Sequence, residues 1–193
     1  MGKAQFRVTG ESEVARAGFL RIVDRRVEGE IDGEAEAFTR VVIEHPGAVV
    51  VVPVTMDGRA VLVRQYRAAT DSELLEVPAG KRDVDGEAPE ETARRELAEE
   101  TGLRAGRLVK LAEFWNTPGF CTEYTHLYAA LDLGDVGERA AVRAEEAAMT
   151  VESIALDDVD RLIANREIVD AKSIIGLLLA RALVAGRFDG MTA

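Results

Sequence analysis

The chain has 193 residues, 47% of them hydrophobic and 31% charged, which is ordinary for a folded domain with a sizeable core. Its formal net charge of −11 argues against a nucleic-acid-binding surface, which carries clustered Lys and Arg. An anionic substrate would need cations and a few placed arginines to overcome that charge.

Over the first 45 residues short apolar pairs alternate with charges, at Gln5 to Val8, Val14 to Val23 and Ala35 to Glu44. This pattern predicts meandering strands with a turn at Glu28 to Gly33. From Ala48 to Arg67 it sharpens. Val49, Val50, Val51 and Val52 precede Asp57-Gly58, and Ala60-Val61-Leu62-Val63 follow, a short-range hairpin signal. Pro78-Ala79-Gly80 then breaks the chain. Gly86-Glu87-Ala88-Pro89 opens a helix, with proline near its first turn and Glu90 and Glu91 behind it. The helix runs to about Thr101 and stops at Gly102.

Two more strands are expected near Leu108 to Trp115 and Tyr124 to Leu131. The segment Asp135 to Ala148 is acidic, alanine-rich and poor in large apolar residues, which predicts an exposed loop. A strand near Val151 to Leu156 leads into a short helix, Asp157 to Asn165. The last helix, Ala171 to Ala185, places Ile174, Leu177, Leu178, Arg181 and Leu183 over four turns as a face to dock on the core. With no internal repeat or linker, the pattern predicts one α/β domain with helices on a mixed sheet. The N-terminal strands, residues 1–45, form an accessory antiparallel region beside the main domain, residues 46–193. The lone cysteine, Cys121, cannot build an internal disulfide framework and fits a reducing compartment. Met1 to Thr9 has no apolar core of signal-peptide length, and Ile174 to Ala180 is far short of the ~20 residues that span a bilayer. The expectation is a soluble, cytoplasmic protein with neither membrane nor nucleic acid as partner.

The chemistry concentrates in Glu87 to Leu103, which reads EAPEETARRELAEETGL. Glu96, Glu99 and Glu100 stand at i, i+3 and i+4, so all three carboxylates share one helical face beside a buried stripe of Ala93 and Leu97. They repel each other, and a bare ELAEE string would read as a solvated acidic face. A hard cation such as Mg²⁺ reverses that balance, because it takes oxygen ligands in octahedral geometry. Arg95, four residues before Glu99, can hold one carboxylate in place.

With Gly80 upstream, Arg95-Glu96, Glu99-Glu100 and Gly102-Leu103, the segment closely resembles the Nudix box, G-x5-E-x7-R-E-U-x-E-E-x-G-U with U aliphatic. Every fixed position from Glu87 to Leu103 matches. One departure is present: six residues, not five, separate Gly80 from Glu87, and the extra one falls in the loop before the helix. The resemblance implies a Nudix fold, a mixed β-sheet sandwiched between helices. It also implies a mechanism in which Mg²⁺ or Mn²⁺ ions bridge a diphosphate and activate a water for attack on phosphorus. Carried over by position, Glu96 and Glu100 are direct ligands. Glu99 is a further ligand or is held by Arg95, and the Ala79 carbonyl completes the site.

Further stretches resemble the ADP-ribose pyrophosphatase branch: Glu44 to Val49, Val63 to Arg67, Leu75 to Gly80, Thr117-Pro118-Gly119-Phe120 through Glu123, and Glu167 to Lys172. Pro118 lies fifteen residues beyond Leu103, the spacing that branch shows. The branch implies that Arg67 contacts substrate phosphates, with Arg40 as a second candidate that reads equally as an exposed strand residue. Thr117 and Glu123 match positions lining the terminal ribose and the metal site. Glu76 is either structural or reaches the substrate. Phe19 could stack on adenine or simply pack in its strand. A general base is usually supplied by a glutamate on a loop after the box, here Glu145 or its neighbour Glu146, with Glu145 preferred from its distance to the following strand. Cys121 and His126 invite a thiol-hydrolase reading, but no third partner to orient them can be named.

The expected activity is hydrolysis of ADP-ribose to AMP and ribose 5-phosphate. The alternatives are a broader nucleoside diphosphate sugar pyrophosphatase and a Nudix domain that only senses a ligand. The branch implies a homodimer whose N-terminal strands contribute to the partner's site.

Overall fold

The computed structural model describes residues 5–136 and 148–191. It divides into two compact units: Met1–Gly47 with Trp115–Tyr124, and Ala48–Phe114 with Thr125–Ala193.

The first unit is built on three long strands, β1 (Gln5–Ala17), β2 (Leu20–Ile31) and β3 (Glu34–Glu44), antiparallel in the order β1-β2-β3. Val14 to Val23, expected as one stretch, is interrupted: the chain reverses at Gly18 (φ 57°) and pairs Arg16 with Arg21. The Asp32-Gly33 turn, with φ of 51° and 89°, supplies the two left-handed positions that a tight hairpin between right-twisted strands requires. Glu28 to Ile31, expected as part of that turn, therefore stay in β2. Cross-strand pairing gathers Arg21 and Arg25 of β2, Glu11 and Glu13 of β1 and Glu44 of β3 into one network. Arg21 reaches Glu11 and Glu13 at 2.7 Å and Glu44 at 2.6 Å, and Arg25 reaches Glu11 at 2.9 Å and Glu44 at 2.5 Å. The 115–124 segment docks on β3 through Ile43, whose N–H donates to the Phe120 carbonyl and whose carbonyl accepts from the Thr122 N–H.

The second unit holds β4 (Ala48–Pro53), β5 (Arg59–Arg67), β6 (Ser72–Glu76), β7 (Ala79–Lys81) and α1 (Pro89–Thr101). Strand β8 (Leu103–Trp115) ends, and β9 (Tyr124–Asp135) begins, at the chain boundary with the first unit. Then come β10 (Thr150–Ala155), a 3-10 turn (Leu156–Asp158), α2 (Val159–Ala164) and α3 (Ala171–Val184). One sheet runs β7-β4-β9-β8, with β4 parallel to β9, and a second runs β10-β5-β6. The unbroken Val49–Val52 run is explained by burial on both faces, since all four are 0% exposed. Val50 and Val52 pack with Leu127, Leu62, Leu75 and Leu177 on one side. Val49 and Val51 pack with Tyr128, Ala93 and Leu97 of α1 on the other. The result is the predicted mixed sheet between helices, with α1 on one face and α3 and the second sheet on the other. Each fully buried Val or Leu contributes roughly 1.5–3 kcal/mol, so this layering is the main source of stability. Among the described residues no helix is long and apolar enough to cross a membrane.

The structure corrects several local expectations. The Asp57-Gly58 turn forms, and Thr55 N–H donates to the Arg59 carbonyl. Beyond one bridge, Val54 to Ala60, β4 and β5 diverge into different sheets, because β4 takes β7 and β9 as partners. Pro78 breaks the chain but Ala79–Gly80 does not, since both pair with β4 as part of β7. Asp135, expected in a loop, closes β9. Arg181, expected on the docking face of the last helix, turns to the surface and pairs with Asp160 at 3.0 Å.

The docking face centres on Gly176, where a Cβ would meet Val52 Cγ2 at 2.8 Å and Leu127 Cδ1 at 3.2 Å. Gly to Ala ordinarily gains ~0.8–1.0 kcal/mol in a helix interior. Overpacking a buried, β-branched neighbour costs about 1–3 kcal/mol, and here it should win. Gly176→Ala is expected to lower stability in urea unfolding, and a gain would show that α3 can lift without cost.

Candidate active site

Helix α1 is fixed at both ends. Pro89 occupies its first turn, and the Glu91 carboxylate accepts the Ala88 N–H at 3.2 Å. Gly102 closes it with φ 72°, a left-handed position that glycine adopts without strain, and its N–H donates to the Ala98 carbonyl. Thr92, Ala93 and Leu97 are buried, which fixes the rotation of the helix. Glu96 and Glu100 are thereby held on its flank facing β7, while Glu99, more exposed, lies beside Arg95.

Glu100 is the most constrained of the three. Its Oε2 accepts the Ala79 N–H of β7 at 3.1 Å. Burial pushes its pKa up to about 8; the Ala79 hydrogen bond opposes this and the neighbouring Glu96 adds to it. Glu96, with its side chain 12% exposed, is also raised by burial, against the pull of Arg95 and with the push of Glu99. A Cβ on Gly80 would overlap the Glu96 carboxylate, so glycine is what lets the β7 backbone approach it.

Arg95 collects the remaining acids. Its guanidinium donates to Glu96 at 2.7 Å, to Glu99 at 3.4 Å and to Glu87 at 3.1 and 3.2 Å. Glu87 also accepts from the Thr92 hydroxyl, and Arg95 holds its pKa below the ordinary value. The expected Arg95–Glu99 contact is therefore the longest of Arg95's bonds. Its firmest partners are Glu96 and Glu87, the latter a tether the sequence reading did not assign.

Arg67, on β5, makes a two-bond fork with Glu76 of β6, Nε at 2.8 Å and Nη2 at 2.7 Å. Glu76 is 2% exposed, so the carboxylate is spent on orienting the guanidinium while Arg67 itself stays 40% exposed. Glu100 and Asp170 lie near enough to act on the same guanidinium.

Four other candidates belong to the first unit. Arg40 is exposed, 4.4 Å from the Phe38 ring centroid, and donates to the Thr39 carbonyl. Thr117 is exposed, and its carbonyl accepts from Phe120 and Cys121 N–H groups. The Glu123 carbonyl accepts the Asn116 N–H across the same hairpin. Phe19 makes an edge contact with His45. Glu145 and Glu146 lie outside the described residues. Cys121 falls in the first unit, and His126, in the second, is bonded to Glu113 at 2.8 Å.

Among the described residues no three acidic, imidazole or thiol groups converge on a common point. Arg95 and the Ala79 N–H hold the carboxylates in their present places. The donor set nonetheless suits a hard divalent cation: carboxylate oxygens from Glu96 and Glu100, buried and mutually repelling, beside an exposed-edge carbonyl strand. Binding a cation removes the charge penalty that raises both pKa values.

Fold and helix together define a class, an enzyme with an acidic helix set against a glycine-bearing strand on a mixed sheet. The chain belongs to the Nudix hydrolase family: the NUDIX domain profile matches residues 44–174. It is 37% identical over 153 residues to the ADP-ribose pyrophosphatase of Bacillus subtilis (strain 168), 79% of this chain and 82% of that protein. It is 40% identical over 148 residues to the ADP-ribose pyrophosphatase of Mycobacterium tuberculosis (strain ATCC 25618 / H37Rv), 77% of this chain and 71% of that protein. The crystal structure of ADP compounds hydrolase shares the fold, with a TM-score of 0.78 at 24% identity, covering 95% of this chain and 97% of that one.

The raised pKa of Glu100 makes stability depend on pH in a stated direction. Its site favours the neutral acid, so its contribution is fully present below pH 4.5 and is lost as pH rises through about 8. With metal chelated, urea unfolding of the wild type should weaken across that window, and Glu100→Gln should remove most of the slope. An unchanged slope in the variant would mean that the Glu100 carboxyl is not buried as described.

Proposed function

We propose that the chain hydrolyses the diphosphate linkage of ADP-ribose to AMP and ribose 5-phosphate with a divalent cation, Mg²⁺ or Mn²⁺. The observation that carries this reading is the buried Glu96–Glu100 pair against the Ala79-Gly80 backbone, in a Nudix chain similar to two ADP-ribose pyrophosphatases. Glu96 and Glu100 would hold the cation, with Glu99 and the Ala79 carbonyl as further oxygens. When bound, the cation neutralises phosphoryl oxygens and lowers the pKa of an attacking water.

The chain's own residues do the rest. The Glu76 fork fixes Arg67 and leaves Nη1 outside it, a positive edge for a phosphate oxygen. Arg95 keeps Glu99 and Glu96 from swinging outward. On the family resemblance Arg40, Thr117 and Glu123 are assigned to the substrate, and Glu145, with Glu146 as its alternate, takes the proton from the attacking water.

A cytoplasmic homodimer completes the proposal. Every residue of β1 is exposed, including Phe6 at 43%, Val8 at 55% and Val14 at 57%. A sheet of long strands needs a second layer for its apolar side chains, and a second copy of the chain supplies one.

A panel of nucleoside diphosphate derivatives assayed with Mg²⁺, products identified, should show ADP-ribose as the preferred substrate. Preference for a mannose or glucose conjugate would favour the broader pyrophosphatase reading, and no turnover of any would leave a ligand sensor. Glu96→Gln and Glu100→Gln should each cost on the order of 10²–10⁴ in rate while the protein stays folded. Near-normal turnover in either would end its role as ligand. Glu145→Gln should lower kcat by about 10²–10⁴ with little change in affinity, and more than Glu146→Gln does. If neither lowers kcat tenfold, the base lies elsewhere. Sedimentation of a fully active monomer would refute the dimer.

A further inference from the structure

The backbone that faces the glutamates is held by very little of its own. Strand β7 is three residues long and pairs with β4 only at Ala48↔Lys81, Val49↔Gly80 and Val50↔Ala79. Just before it, Pro78 has no N–H to donate, so the approach from β6 depends on Val77. Val77 is 1% exposed, and a buried backbone N–H must find an acceptor. It finds one 96 residues away, where the Ser173 hydroxyl oxygen accepts it at 3.0 Å.

Ser173 is fully buried in the first turn of α3. Its hydroxyl donates to Asp170 Oδ2 at 2.7 Å, which leaves its lone pairs to face Val77. Asp170 caps α3 by accepting the Ser173 N–H at 2.9 Å and is itself pinned by the Lys172 ammonium at 2.5 Å. Each step of the segment that follows is then fixed. The Pro78 carbonyl accepts the Val51 N–H, the Ala79 N–H goes to Glu100, and Gly80 abuts the Glu96 carboxylate.

We propose that Ser173, oriented by Asp170, is a positioning residue for the cation site: it sets where the Val77–Gly80 backbone stands and thereby where Glu100 and the Ala79 carbonyl can meet one ion. Neither residue touches the substrate or the ion. The proposal rests on the reading of Glu96 and Glu100 as ligands. A purely structural cap predicts something different, a loss of stability with cation affinity untouched.

The test is Mn²⁺ binding without substrate, read from the free-ion signal in electron paramagnetic resonance, with thermal unfolding alongside. Ser173→Ala should weaken Mn²⁺ by about 10–100-fold, the range typical when a partner that orients a ligand is removed. Hydrogen exchange at the Val77 and Ala79 amides should quicken in the metal-free protein. Asp170→Ala should act in the same direction and serves if Ser173→Ala does not fold. Asp170→Asn keeps an acceptor oxygen for the hydroxyl and should restore near-wild-type affinity. Leu178→Ala, which trims a partly buried leucine packed against the core on the same helix, should lower the Tm yet leave Mn²⁺ affinity unchanged. Wild-type affinity in folded Ser173→Ala, or an equal loss in Leu178→Ala, overturns the proposal. Glu100→Gln separates the two levels. If it loses Mn²⁺ while Ser173→Ala does not, only the positioning role falls, and if it binds Mn²⁺ normally, the ligand reading falls and this proposal with it.

Discussion

Two buried carboxylates on one helix flank are an electrostatic liability, and the second unit is arranged around containing it. Glu100 is offset in part by the Ala79 N–H and Glu96 by the Arg95 guanidinium, each donor delivered by an element that must first be placed by hydrophobic packing. The Val49–Val52 strand fixes β7 and α1 at once, since it pairs with the former and packs on the latter through Val49 and Val51. The core therefore sets the distance between helix and strand, and that distance decides whether the acids repel each other or share a cation.

Much of this was legible in the residues. The box spacing located α1 and its acids, and Gly102 marked its end. The unbroken valines marked a strand, though the reading of them as one arm of a hairpin did not foresee their burial on both faces. What misled was local signal with more than one tertiary outcome. Asp57-Gly58 forms its turn in either case, but only the competition among β5, β7 and β9 for β4 decides that the flanking strands part. Arg181 sits among leucines in the linear pattern, yet a guanidinium on a flexible stem can leave a helix face that Gly176 and Leu177 already fill.

Site residues follow the same division. Glu96 and Glu100 come from one helix, so periodicity alone places them together. The Arg67–Glu76 fork joins two strands and needed their register, Arg67 opposite Ser72 and Val63 opposite Glu76. Glu76 read as either structural or reactive because a lone glutamate at a strand end carries no sign of what lies across from it. Ser173 had a visible local signature, Asp170 three residues ahead of it as a helix cap. Its bond to Val77 spans 96 residues and has no counterpart in the linear pattern.

The ion network of the first unit has a bearing on assembly of the chain itself. Strands in which nearly every residue meets water have little apolar contrast to specify their alignment, and such strands slip easily. Here Arg21 and Arg25 are four residues apart on β2, on one face, and meet Glu11 and Glu13 on one side and Glu44 on the other. A slip of one position on any strand would turn an arginine or its acids to the opposite face and break these ion pairs. The network thus works as a combination lock whose tumblers are charges, closing only at one alignment, and its grip loosens as dissolved salt screens them.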